Sequence, residues 1–219
     1  MLPIQVPTGA LKLEGGLSIP EAVRGIVLCA YGSVSAQHNV RHGYTRVAQA
    51  LRDAGFAVLL LNLLTPDEVA LDRKTGFFRS NVGIFSQRIL GATNWLSQNY
   101  KTQARNYKIG YFAAGASAGA ALIAAAERPD AVNAIVSCGG RPELAEPHLP
   151  SVVAPTLFIV GENDTLAMNV HRTALLQLRV DKRLESITGA TDLFEEEGTL
   201  AEVTRLTRQW FERYLAPKA

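Results

Sequence analysis

The stretch Lys108-Ile109-Gly110-Tyr111-Phe112-Ala113-Ala114-Gly115-Ala116-Ser117-Ala118-Gly119 decides the fold. It opens as an apolar strand, passes through small residues, and continues into the helix-forming run 118–127. Inside it, Gly115-Ala116-Ser117-Ala118-Gly119 matches G-x-S-x-G, the nucleophile-elbow pattern. Small residues beside the serine let a strand and a helix pack closely around a sharp turn. An Ala/Gly/Ser-rich stretch also matches so short a pattern by composition alone, so the motif does not by itself assign Ser117 a nucleophile's role.

Outward from this stretch, strand and helix signals alternate. The apolar runs 25–30, 56–61, 108–112, 134–138, 156–160 and 183–187 read as buried strands. Val40, Tyr44, Val47, Ala48 and Leu51 share one helical face, as do Phe85, Ile89, Ala92, Trp95 and Leu96. Further helices are expected over 118–127, around 170–178, and at the end through Leu200, Val203, Leu206, Trp210, Phe211 and Leu215. Residues 4–6 and 11–19 read as a short amphipathic hairpin. The segment 64–78 holds Thr65-Pro66-Asp67 and Lys74-Thr75-Gly76 and reads as a loop. The pattern predicts a mostly parallel central sheet with helices on both faces and an antiparallel N-terminal edge. With no linker or internal repeat, residues 1–219 are expected to form one α/β domain. In such sheets ligands bind at the carboxyl ends of the strands, so the residues just after each strand carry the chemistry.

Composition narrows the class. Of 219 residues, 47% are hydrophobic and 19% charged, and the formal net charge is +2. No basic run forms a patch, so no nucleic-acid partner is expected. No stretch is long enough to span a bilayer and no signal peptide is evident, so a cytoplasmic location is expected. Cys29 and Cys138 stand in apolar strands without metal-ligand spacing and read as buried free thiols. Neither a metal nor a cofactor is expected.

The chain resembles the small dienelactone-hydrolase-like α/β-hydrolases over nearly its full length. The resemblance rests on Gly25-Ile26-Val27-Leu28 leading to Gly32-Ser33, on Ala54-Gly55-Phe56-Ala57, and on Leu60-Leu61-Asn62-Leu63-Leu64-Thr65. It continues through Gly110-Tyr111-Phe112, Ala124-Ala125-Ala126-Glu127-Arg128-Pro129, Gly139-Gly140-Arg141-Pro142 and Leu193-Phe194-Glu195-Glu196. It implies an α/β-hydrolase fold and a nucleophile–acid–histidine triad, and it exposes departures from that triad.

Counting from Phe112 or back from Pro129 puts the family's nucleophile position at Gly115. Using Ser117 instead requires the strand to gain two residues. The acid aligns with Asp164, which could equally cap a helix. The histidine position holds Asp192, and an ionised carboxylate with a reference pKa near ~3.9 is a poor proton acceptor from a serine hydroxyl. His38 could lie near the mouth of the site, while His42 shares its loop and His148 and His171 fall on later connections. On the oxyanion side Tyr31-Gly32-Ser33-Val34 replaces His-Gly-Ser-Gly. Asn62 and Asn81 stand where relatives carry acids, whereas Arg79 and Arg141 match the family. The candidate catalytic residues are therefore Ser117 and Asp164, with Gly115 and Asp192 at vestigial triad positions. Tyr31, Gly32, Ser33, His38, Arg79 and Ala116 are candidates for binding a small ester-like or anionic ligand. A protein partner is a further expectation.

Overall fold

The computed structural model describes residues 1–32, 38–100, 107–191 and 194–217, of which 38–42 are described by their backbone alone. Eight strands are ordered β1-β2-β4-β3-β5-β6-β7-β8. β1 (Leu2–Thr8) and β2 (Leu11–Ser18) form the antiparallel edge. The other six strands run parallel: β3 (Ile26–Tyr31), β4 (Ala57–Asn62), β5 (Ile109–Gly115), β6 (Ala134–Gly140), β7 (Thr156–Gly161) and β8 (Lys182–Ile187). The free edge of β1 carries Pro3 and Pro7, two residues without the N–H that a further strand would need.

Strand alternation builds two cores. Ile26 and Leu28 of β3 face one side with α4 (Val82–Tyr100) and α5 (Ala116–Glu127). Val27 and Cys29 face the other, against Tyr44, Val47 and Leu51 of α1 (His38–Asp53) and Val203, Trp210 and Phe211 of α7 (Thr199–Tyr214). Tyr111 is fully buried, and its hydroxyl lies 2.6 Å from that of Thr93. Thr93 in turn donates to the Ile89 carbonyl at 2.8 Å, which leaves Tyr111 as donor to Thr93. Both cysteines are free and buried, and burial pushes both thiols far up from their ordinary pKa.

Residues 64–78 are not a loop. They form α2 (Pro66–Thr75) and lead into α3 (Phe77–Ser80). Thr65 caps α2, accepting from the Glu68 N–H while Glu68 accepts from the Thr65 N–H, and Pro66 opens the helix. Gly76 ends it at φ 68, in the left-handed region. The carboxylate of Glu68 then receives two hydrogen bonds from Arg88 of α4, at 2.8 and 2.6 Å, and Arg88 also donates to the Leu63 carbonyl. Two further corrections concern boundaries. β5 runs three residues past Phe112 and α5 begins at Ala116, so the change of direction falls within Gly115 and not in a separate connecting segment. Residues Pro142–Ser151, on the connection expected to hold His148, form a series of 3₁₀ turns.

Candidate functional site

β3 sends its chain through α1 to β4 on one side, and β5 sends its chain through α5 to β6 on the other. The two connections lie on opposite faces, so the carboxyl ends of β3 and β5 diverge and open the crevice expected at a topological switch point. Ala30 pairs with Ala113, so Gly32 and Gly115 leave the sheet side by side.

Gly115 is the last residue of β5 and the N-cap of α5, with φ 55 and ψ −137. This is backbone that side-chain-bearing residues adopt only under strain. Among the described residues, a Cβ built on Gly115 would have no heavy atom within 4 Å. The sharp strand-to-helix turn is therefore centred on Gly115. Ser117 is the second residue of α5, one helical step inward, and is only 3% exposed. Ala116, between them, opens the helix, and its N–H is among the donors that a first turn leaves without intrahelical acceptors. The Gly115 carbonyl is taken by the Arg141 N–H at 3.1 Å, which ties the turn to the end of β6.

On the neighbouring strand, the Tyr31 ring packs against Tyr44 at 5.4 Å, and Tyr44 packs edge-on to Phe112 at 5.3 Å. Gly32 is buried with its Cα against the Phe85 ring, in space a side chain would need. Ser33, the side chain of His38, and Asp192 lie outside the described residues.

Two strands along the sheet from β5, about 10 Å at the usual inter-strand spacing, β7 ends in Gly161-Glu162-Asn163-Asp164. Asp164 is the N-cap of α6 (Thr165–Gln177), and its carboxylate accepts from the Ala167 N–H at 2.9 Å. The turn is bound to the segment after β8: Asn163 donates its backbone N–H to the Ala190 carbonyl and its side-chain amide to the Gly189 carbonyl, both at 3.0 Å. Gly161 approaches the Thr191 backbone so closely that a Cβ would sit 2.3 Å from its carbonyl oxygen. Thr191 itself donates to Glu196 at 3.0 Å.

The arginines chosen from sequence are engaged locally. Arg79 donates from its guanidinium to the Asp72 carbonyl at 3.3 Å, and its Nε lies 4.0 Å from the buried Asp72 carboxylate. Arg141 pairs with Glu143 at 2.8 Å. Asn62 accepts from the Leu64 N–H at 3.1 Å, and the Asn81 amide donates to the Phe77 carbonyl. Both asparagines shape turns. His171 sits inside α6, the helix that connects β7 to β8, and is fully buried. Sequence reasoning missed the Glu68–Arg88 pair, whose signal was the Thr65-Pro66-Asp67-Glu68 capping pattern. Among the described residues no cluster of three or more His, Cys, Asp or Glu could hold a metal ion. Among them, too, no helix is long and apolar enough to cross a membrane.

No family model matches the chain. The crystal structure of a dienelactone hydrolase from Anabaena variabilis does, with a TM-score of 0.89 and 46% identity over 97% of each chain. The chain belongs to the dienelactone-hydrolase-like α/β-hydrolases. Remoter members of this fold include a dienelactone hydrolase-like promiscuous phosphotriesterase from metagenomic libraries, with a TM-score of 0.77, 16% identity and 98% of each chain covered. An α/β serine hydrolase without a lid from Xanthomonas campestris superposes with a TM-score of 0.75 at 16% identity, over 99% of this chain and 96% of that one. Two Mycobacterium tuberculosis proteins, from strains CDC 1551 and H37Rv, carry a provisional phosphoribosyl transferase name and are each 43% identical to this chain over 208 residues. Those residues are 95% of this dienelactone-hydrolase-like chain but 45% of the mycobacterial proteins, so the chain spans less than half their length.

Proposed function

We propose that this chain is a binding or regulatory module on a dienelactone hydrolase scaffold, a pseudo-hydrolase with no serine mechanism of its own. One observation carries the reading. The residue at the centre of the strand-to-helix turn is Gly115, while Ser117 lies within the helix at 3% exposure. A serine at the apex would project into the crevice between β3 and β5, whereas a serine two positions later follows the helix. Asp164, which the resemblance makes the triad acid, spends one of its oxygens on capping α6. Asp192 in the histidine position removes the base that a serine nucleophile needs.

The space over Gly115 and the N–H groups of the first turn of α5, which lack intrahelical acceptors, favour a small ester-like or anionic ligand, held without covalent chemistry. The match to under half of two longer proteins supports a module that works beside another unit. Their transferase name makes a phosphoribosylated compound one candidate for that ligand, to be tested by calorimetric titration.

The second reading is a weak or unconventional carboxylic-ester hydrolase using Ser117. It is favoured by the intact G-x-S-x-G string and by the place of Ser117 in the first turn of α5. Turnover of short p-nitrophenyl esters separates the two. A serine hydrolase stripped of triad members retains about 10³–10⁴-fold catalysis over water through binding and its oxyanion site, so weak activity is not decisive by its presence. What decides is saturation and dependence on Ser117. The pseudo-hydrolase reading expects no saturable turnover and identical rates for the wild type and Ser117→Ala. Saturable turnover lost in Ser117→Ala would establish the second reading.

A further inference from the structure

α6 carries a histidine in a setting that suits only its neutral form. His171 is 0% exposed, with its ring edge-on to Phe158 at 5.3 Å and 81°. Nδ1 lies 2.7 Å from the Ala167 carbonyl, which can only accept, so Nδ1 carries the proton and donates it. Nε2 is then the bare nitrogen, and it is buried with no hydrogen-bond partner among the described residues. A proton added there would create a buried N–H, and a positive charge, with nothing to accept it.

The surroundings offer little compensation. β7, packed against α6, contributes Thr156–Gly161 and no titratable side chain. β8 brings Lys182, Arg183 and Glu185, of which Arg183 and Glu185 pair with each other. The 3₁₀ segment brings Glu143, Glu146 and His148; Glu143 is held by Arg141 and Glu146 by Gln177. On α6 itself stand Asp164, at the N-cap, and exposed Arg172. Burial lowers the His171 pKa, against an opposing pull from the Ala167 carbonyl, Glu143 and Asp164.

We propose that α6 is an acid-sensitive latch: protonation of His171 releases the helix and, with it, the Asp164 turn that borders the candidate site. The coupling is structural, because Asp164 caps the helix on which His171 lies. The latch stands independently of what the site binds or turns over.

The sign follows from linkage. Above a pH of about 6.5 the ring is neutral in both the docked and the released helix, and docking carries no penalty. As pH falls below that value the released form gains the proton first, so release becomes easier with each unit. One proton taken up on release gives at most about a tenfold rise in opening per pH unit.

Hydrogen exchange on the intact chain tests this. After correction for intrinsic rates, the opening constant of peptides within 165–177 should rise about fivefold between pH 6.5 and 5.5, while α5 peptides within 116–127 stay unchanged. His171→Phe keeps a ring against Phe158 and should abolish the rise. Asp164→Asn keeps a capping side chain and should retain it. A flat α6 profile in the wild type, a rise that persists in His171→Phe, or one that vanishes in Asp164→Asn would overturn the latch. Should His171→Phe fail to fold, ring NMR of the wild type decides. The His171 signal must remain neutral in the folded population down to pH 5.5, and an ordinary midpoint near 6.5 would refute the proposal.

Discussion

Replacing Gly115 with alanine isolates the conformation on which the reading of the site depends. The structure separates the two ways such a change can act. Among the described residues a Cβ at Gly115 meets no heavy atom within 4 Å, so they offer no steric conflict. What remains is backbone strain at φ 55 and ψ −137, worth about 1–3 kcal/mol for a residue with a side chain. In a chain of this length each kcal/mol moves the midpoint by roughly 2–4 °C, so Gly115→Ala should lower Tm by about 2–12 °C. Gly83 in the first turn of α4 is the matched control. Its built Cβ also meets nothing within 4 Å, but its φ lies outside the left-handed region. Gly83→Ala should therefore stabilise the protein by about 0.4–1 kcal/mol, through lost freedom of the unfolded chain. Urea unfolding of the two variants beside the wild type reads both signs in one experiment. A Gly115→Ala protein as stable as the wild type, or more stable, would refute the placement of the turn at Gly115.

Other consequences follow from the packing around this frame. Thr93→Val keeps the shape of the side chain but leaves the Tyr111 hydroxyl buried without an acceptor, and should cost about 1–3 kcal/mol in urea unfolding. Arg88→Met strips Glu68 of its buried partner and should destabilise by about 3–5 kcal/mol, more than Glu68 and Arg88 replaced together by apolar residues. Desolvation is the largest influence on the Glu68 pKa and raises it, yet the bonds from Arg88 and Thr65 outweigh it and hold the group below its ordinary value. Its contribution is thus present above a pH of about 4.5 and lost as pH falls through the folded-state value, so Glu68→Gln should flatten the acid limb of the stability curve. Finally, Gly115→Ser with Asp192→His should gain esterase activity that neither single change gives, because triad members act as a unit. Activation by Asp192→His alone, dependent on Ser117, would favour the second reading.

How much of this could be read from sequence varies with the physics of each segment. The buried strands announced themselves as apolar runs, and Val27, Cys29, Val58 and Leu60 against Ile26, Leu28, Leu59 and Leu61 show the two-faced burial such runs imply. α2 was missed because its apolar residues, Val69, Ala70 and Leu71, are consecutive and do not trace a buried helical stripe, and Leu71 is exposed. It is held by its ends, through the Thr65 cap and the Glu68–Arg88 pair, and Thr65-Pro66-Asp67 imitates a turn. At the centre of the site, alanines and glycines alone leave the turn's position undetermined, because small residues suit strand end, turn and helix start alike. The backbone angles of Gly115 supply what composition could not. His171 falls in the helix expected around 170–178, but its burial was not legible, because no local pattern distinguishes a polar residue facing a core from one facing solvent.

The central claim is that no serine stands at the apex of the turn, and a serine-directed fluorophosphonate read by intact-mass spectrometry tests it most directly. The account predicts unmodified protein under conditions that label an active serine hydrolase to completion. One stoichiometric adduct, mapped to Ser117 and absent from Ser117→Ala, would contradict it.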